Sequence, residues 1–107
     1  MAGKIKPRAE RVAPTHPGAV MREILEETLG LSVADAAKAM GVSRQTLYEV
    51  LRGENRLTAE LALRFATLAG ADPSLYLHMQ DELDLWTAER KLKNELPKIV
   101  PAKRAAG

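Results

Sequence analysis

Residues 33–53 read VADAAKAMGVSRQTLYEVLRG. The stretch divides at Gly41 into two helix-forming segments joined by a tight turn. Ala37, four residues before the glycine, is small enough for two helices to touch, and Gly41 is the residue type that takes the left-handed turn conformation without penalty. Met40 and Val42 flank the turn, and Leu47 and Val50 follow at helical spacing, so these apolar side chains can close over one small core. The outer face of the second segment is then Arg44, Gln45, Thr46, Tyr48, Glu49 and Arg52. Hydrogen-bonding side chains of this kind read base edges and phosphates. The pattern is a helix-turn-helix, and it predicts a DNA-binding protein.

Working outward, the sequence predicts an all-α fold of five helices. His16-Pro17-Gly18 opens the folded part, with Thr15 as the expected cap of a helix running to about Leu29. Met21, Ile24, Leu25 and Leu29 fall on one stripe of it, while Arg22, Glu23, Glu26 and Glu27 face out. Ser32 caps a second helix, Val33 to Met40, and Ser43 a third, Arg44 to Arg52. Thr58 caps a fourth, in which Leu61, Leu63, Phe65, Ala66 and Leu68 give a broad apolar face. Asp72-Pro73 starts a fifth, which is expected to run to about Leu96, where Pro97 breaks the pattern. Leu75, Met79 and Leu83, with Trp86, form the row expected to pack on the domain. A second row, Leu85, Ala88, Leu92 and Leu96, extends past what a small domain covers and is the expected dimer interface; the competing reading is a frayed helix with half-exposed leucines.

The chain has 107 residues, a net charge of +2 and no cysteine. One domain fits that length, and disulfides and thiolate metal sites are excluded. No apolar run approaches the roughly 20 residues that cross a bilayer. The basic N-terminus lacks the apolar segment of a signal peptide, so a cytoplasmic protein is expected. Charge is uneven: Lys4, Lys6, Arg8 and Arg11 near the start and Lys91, Lys93, Lys98, Lys103 and Arg104 near the end flank an acidic middle. Residues 1–14 are expected to be a flexible basic arm, 15–96 the helix-turn-helix domain and 97–107 a flexible basic tail. Basic ends on an acidic core suit two kinds of partner, one of them polyanionic; they also serve simply to keep the ends soluble.

The first turn and a half of a recognition helix comes closest to the bases of the major groove. Here that surface is Ser43, Arg44, Gln45 and Thr46. Arg44 suits a bidentate contact to guanine and Gln45 one to adenine, while the Thr46 methyl suits a thymine methyl. Tyr48 and Arg52 are better placed for phosphate. Asn55 and Arg56 follow in the next loop, where Arg56 and the N-terminus of the fourth helix are expected to hold a phosphate together. The alternative for any one of these residues is an ordinary surface role. Glu49 faces repulsion from phosphate, and pairing with Arg52 is its expected outcome. His16 and His78 are far apart in sequence, so no metal site is expected. No nucleophilic triad, glycine-rich phosphate loop or paired-carboxylate motif is present, which argues against an enzyme and for no cofactor.

The order of these pieces, THPGAVMREILEETLGLSVADAAKAMGVSRQTLYEVLRGENRLTAELALRFATLAGADPSLYLHMQDELDLWTAER over residues 15–90, resembles a HigA-type antitoxin of the lambda-repressor-like (XRE) superfamily. The elements that carry the resemblance are His16-Pro17-Gly18, the segment Gly53 to Leu57 followed by Thr58 to Arg64, and Leu77-His78-Met79-Gln80 followed by Asp84-Leu85. The resemblance implies a homodimer that binds an inverted repeat in its own promoter, represses its operon, and silences a HigB-type toxin, an mRNA endonuclease acting at the ribosome. It places the DNA-reading surface on Ser43, Arg44, Gln45, Thr46, Tyr48 and Arg52, with Arg56 beside them. The sequence departs from the superfamily at Val33, where glutamine often helps clamp a phosphate, and at Ser74-Leu75-Tyr76, which keeps one aromatic ring of a common pair. Glu23, Glu26 and Glu27, with Asp81, Glu82, Asp84 and Glu89, offer charge complementary to a basic endonuclease. Two other readings stay open: a stand-alone repressor of the same fold without a toxin, and a helical protein- or RNA-binding module in which the helix-turn-helix is scaffold.

Overall fold

Gly41 adopts φ 73° and ends α2, Val33–Met40, in a left-handed cap whose N–H returns to the Ala37 and Lys38 carbonyls. Three residues later α3, Arg44–Leu51, begins behind Ser43, whose hydroxyl oxygen accepts from the Thr46 N–H. The helix-turn-helix thus stands as the sequence predicts it. In the computed structural model, which describes residues 8–105, these two helices sit among three more: α1, Pro17–Glu23; α4, Ala59–Ala69; and α5, Pro73–Lys91. No strand occurs among the described residues.

Helices α2 to α5 each start where a short polar side chain meets the next helical turn. Ser32, Ser43, Thr58 and Asp72 all accept a backbone N–H from the first turn they cap, which satisfies a donor the helix itself leaves open. Thr15 does not cap α1. That role belongs to His16, whose Nδ1 accepts from the Gly18 N–H at 2.8 Å. Beyond Glu23 the chain continues without a break as a π-helical segment, Ile24–Leu29. Apolar periodicity over so few turns does not separate the two windings.

The core joins Met21 and Leu25 from the first helical run, Ala36, Ala37 and Met40 from α2, Leu47, Val50 and Leu51 from α3, and Leu61, Ala62, Phe65 and Ala66 from α4. Leu57 and Tyr76 complete it, and the Tyr76 ring meets Phe65 edge to face at 5.3 Å. Leu63, expected on the buried face of α4, is exposed instead; its position on the helix lies opposite Leu61, Phe65 and Ala66.

The fifth helix departs from expectation twice. Its buried stripe is Tyr76 and Gln80, while Leu75 is exposed and Met79 and Leu83 are half-buried, so the packed face is rotated by one position from the predicted row. The helix also ends at Lys91 rather than near Leu96, giving about 28 Å at 1.5 Å per residue. Pro97 has no N–H to offer the Lys93 carbonyl, and the ladder unwinds a turn ahead of it. Leu92 is the C-cap and Leu96 belongs to a short 3-10 turn, Leu96–Lys98. Leu85, Ala88, Leu92 and Leu96 are all exposed, but they do not lie on one continuous helix.

The expected basic arm falls partly outside the described residues, at 1–7. Its remainder includes a 3-10 turn, Arg8–Glu10, that lies on α5. Arg8 donates to Glu89 and approaches Glu82 at 3.9 Å, and the Trp86 Nε1–H donates to the Arg11 carbonyl. The tail beyond Lys98 carries no regular structure through residue 105.

Candidate nucleic-acid interface

Leu47, Val50 and Leu51 anchor α3 in the core and leave Ser43, Arg44, Gln45, Thr46 and Tyr48 exposed on its other face. The helix is held from three sides. At its start the turn is fixed by Arg64 of α4, whose Nη1 donates to the Met40 carbonyl at 2.8 Å, satisfying an acceptor that the end of α2 leaves open. Beneath it, Gly18 brings α1 so near that an added Cβ would lie 2.0 Å from the Val50 carbonyl oxygen. After it, His16 reaches up to the following loop. Because Nδ1 accepts from Gly18, Nε2 carries the proton and donates to the Asn55 carbonyl at 3.0 Å.

The eight residues singled out from sequence lie on α3, at its two caps and in the loop that follows it, and play different parts. The Ser43 hydroxyl donates to the Thr46 Oγ1 at 2.8 Å while capping the helix, so both hydroxyls are engaged locally. Arg44 makes no hydrogen bond or ion pair among the described residues and stands free at the start of α3. Arg52, the C-cap, lays its guanidinium over the Tyr48 ring at 4.8 Å and approaches Glu54 at 3.9 Å. Thr46, Asn55, Arg56 and Thr58, with Val50 and Leu61, line a cleft between α3 and the N-terminus of α4.

One pairing differs from the sequence reading, and a second was not read from it. Glu49 does not pair with Arg52. Its Oε1 accepts from Gln45 Nε2 at 2.7 Å and its Oε2 from Asn55 Nδ2 at 2.5 Å. Gln45 lies one turn before Glu49 on the same helix face, and the loop folds Asn55 back onto it through bonds from the Glu54 and Asn55 N–H groups to the Glu49 carbonyl. Arg56, expected to hold a phosphate together with the N-terminus of α4, donates to Asp84 Oδ2 at 2.6 Å.

Behind that ion pair is a buried relay the sequence reading missed. Gln80, 2% exposed, accepts the Leu57 N–H at 2.8 Å and donates to Asp84 Oδ1 at 2.8 Å. The loop that carries Asn55 and Arg56 is thus pinned to α5 through both backbone and side chain. Partial burial pushes the Asp84 carboxyl up, but hydrogen bonds from Arg56 and Gln80 and the Arg56 charge outweigh it and hold the group below the usual carboxylate range. The one sequence signal for Gln80 is its place four positions after Tyr76, on the same helix face. His16, Arg64 and Asp84 had no such signal beyond their place in the quoted family segments. The acidic surface is also smaller than the residue types suggest, since Asp84 is paired with Arg56, Glu89 with Arg8 and Glu26 with Arg22.

Residues 8–79 match the family described as a helix-turn-helix domain. Virulence-associated protein I of Dichelobacter nodosus is 37% identical over 86 residues, covering 80% of this chain and 79% of that protein. Antitoxin HigA-1 of Vibrio cholerae is 29% identical over 94 residues, 88% of this chain and 89% of its own. Among solved structures, antitoxin GraA in complex with its operator superposes with a TM-score of 0.77 at 31% identity, covering 95% of this chain and all of that one. The geometry of α2, Gly41 and α3 and these likenesses place the chain in the XRE-type helix-turn-helix family to which the HigA antitoxins belong.

Proposed function

We propose that the chain is the antitoxin of a type II toxin–antitoxin pair, which binds an inverted-repeat operator as a homodimer, represses its own operon and neutralises a HigB-type mRNA endonuclease. The observation that carries the reading is α3: a helix anchored on one face by Leu47, Val50 and Leu51 and presenting an exposed polar face on the other. An α-helix of that kind fits the major groove. GraA, whose solved complex contains its operator, supports the DNA partner, and HigA-1 supports the toxin partner.

In this reading Arg44 and Gln45 enter the groove and read bases, Ser43 and Thr46 line its edge, and Tyr48, Arg52, Asn55 and Arg56 lie along the phosphates. One guanidinium N–H of Arg56 goes to Asp84, and the remaining donors are available to a phosphate oxygen. The exposed Leu85, Ala88, Leu92 and Leu96 supply the contact between copies. Leu92 and Leu96 reach it from the cap and the following turn of α5 rather than from a straight row. The protein acts by binding alone, without catalysis or cofactor, and in the cytoplasm. Among the described residues no helix is long and apolar enough to cross a membrane.

The test is co-expression with the product of the adjacent reading frame. The reading requires that the two co-purify and that the neighbour's cleavage of mRNA stops when this chain is present. A neighbour that neither binds nor cleaves, with operator binding intact, would leave a repressor without a toxin.

A further inference from the structure

Glu49 is out of place on a surface that faces phosphate, since a carboxylate there is repelled. It is nonetheless held on both oxygens, with Gln45 on one and Asn55 on the other. An ionised carboxylate accepts hydrogen bonds and donates none. Each amide must therefore turn its NH2 group toward Glu49, which fixes which end of Gln45 is nitrogen and which is oxygen. A free glutamine amide has no such constraint: rotation by half a turn about its last bond exchanges the two ends.

Building on the operator-binding reading above, we propose that Glu49 is a specificity-determining residue that locks the Gln45 amide, and with it Asn55, into the orientation that reads adenine. With one N–H committed to Glu49, Gln45 keeps its second N–H and its Oε1. Adenine offers the matching pair in the major groove, N7 to accept and the N6 amino group to donate. A Gln45 released from Glu49 turns its NH2 toward guanine O6 or N7 as readily, and the preference for adenine falls. The backbone supports the same orientation. Asn55 is tied by its own N–H to the Glu49 carbonyl at 3.1 Å and by its carbonyl to His16 at 3.0 Å, so its backbone is fixed beside the Glu49 side chain. Glu49 touches no base; it is a positioning residue.

The experiment is selection of preferred sites from randomised DNA duplexes by the full chain, followed by titration of the selected site and its single-base variants. Wild type, Gln45→Ala, Glu49→Gln and the double variant are compared. Glu49→Gln keeps the side-chain shape and the backbone bonds, and a thermal melt confirms that it folds. The wild type is expected to select adenine at one position of each half-site, and Gln45→Ala to lose that preference. Glu49→Gln should lower discrimination at that position alone by about fivefold or more, with no further loss when Gln45 is already alanine. Its affinity for unrelated DNA should rise, because a negative charge is gone. Undiminished adenine preference in Glu49→Gln overturns the proposal, as does a loss spread over all positions or a wild-type preference for another base there. A wild type that selects no sequence at all overturns the operator-binding reading itself.

Discussion

At Gly18 the absence of one carbon sets the distance between two helices. A Cβ there would overlap the Val50 carbonyl of α3, and backbone does not yield as a flexible side chain does. Gly18→Ala is expected to cost about 1–3 kcal/mol, read as a lower midpoint in chemical denaturation, and to weaken DNA binding by displacing α3. Arg44 is the opposite case, a residue with no partner among the described residues and so with little structural cost on removal. Arg44→Ala should leave stability unchanged within about 0.5 kcal/mol while weakening operator binding and relaxing preference at one base pair. Unchanged affinity and preference would mean that α3 docks in another way. At this scale the caps Ser32, Ser43, Thr58 and Asp72 were legible in the sequence, because a cap is a local contest between a side chain and the next turn. The partner of Glu49 was not. Gln45, Arg52 and Asn55 all lie within reach of it along the chain, and only the fold of the loop decides among them.

The elements were legible in order and type, since five apolar stripes separated by glycine, proline and capping residues leave little freedom. The rotation of α5 was not. Counting apolar residues favours Leu75, Met79 and Leu83, but the helix buries Tyr76 and Gln80, because Gln80 satisfies the Leu57 N–H that the loop would otherwise leave open. A polar residue that completes a buried hydrogen bond is worth more there than a leucine. Asp84 one turn on carries two consequences. Its carboxyl titrates below the usual range, so its contribution to stability is present at pH values above the ordinary carboxylate value of about 4 and is lost as pH falls through its lower folded value. For a pair this exposed to solvent the contribution is small. Asp84→Asn should flatten the acid side of the stability curve, measured by denaturation over a pH series. It should also free Arg56 and raise affinity for all DNA sequences alike, whereas Arg56→Ala should lower it for all alike. A change confined to one base position in either variant would place Arg56 among the base-reading residues.

At the scale of the whole molecule, the second copy is the largest part of the account that rests on exposed surface. Leu85 is 45% exposed, Leu92 38% and Leu96 42%. Leu92→Glu is expected to give monomers by light scattering and to reduce operator affinity, since one half-site binds where two did. Unchanged mass would place the dimer contact elsewhere. The intact dimer should prefer half-sites about 34–36 Å apart, or a multiple of that spacing. The sequence marked these leucines as uncovered but placed them on one long helix, because periodicity continues through residues that Pro97 prevents from staying helical. It also gave no sign that Arg8 and Arg11 lie against α5, since contacts between distant segments leave no periodic trace. If α3 and the basic residues around it grip DNA, a mobility-shift titration of the full chain on its own upstream DNA, repeated across a salt series, should show it. Specific binding is expected to weaken about a thousandfold or more between roughly 50 and 200 mM salt. No specific shift, or a shift indifferent to salt, would leave the helix-turn-helix as scaffold.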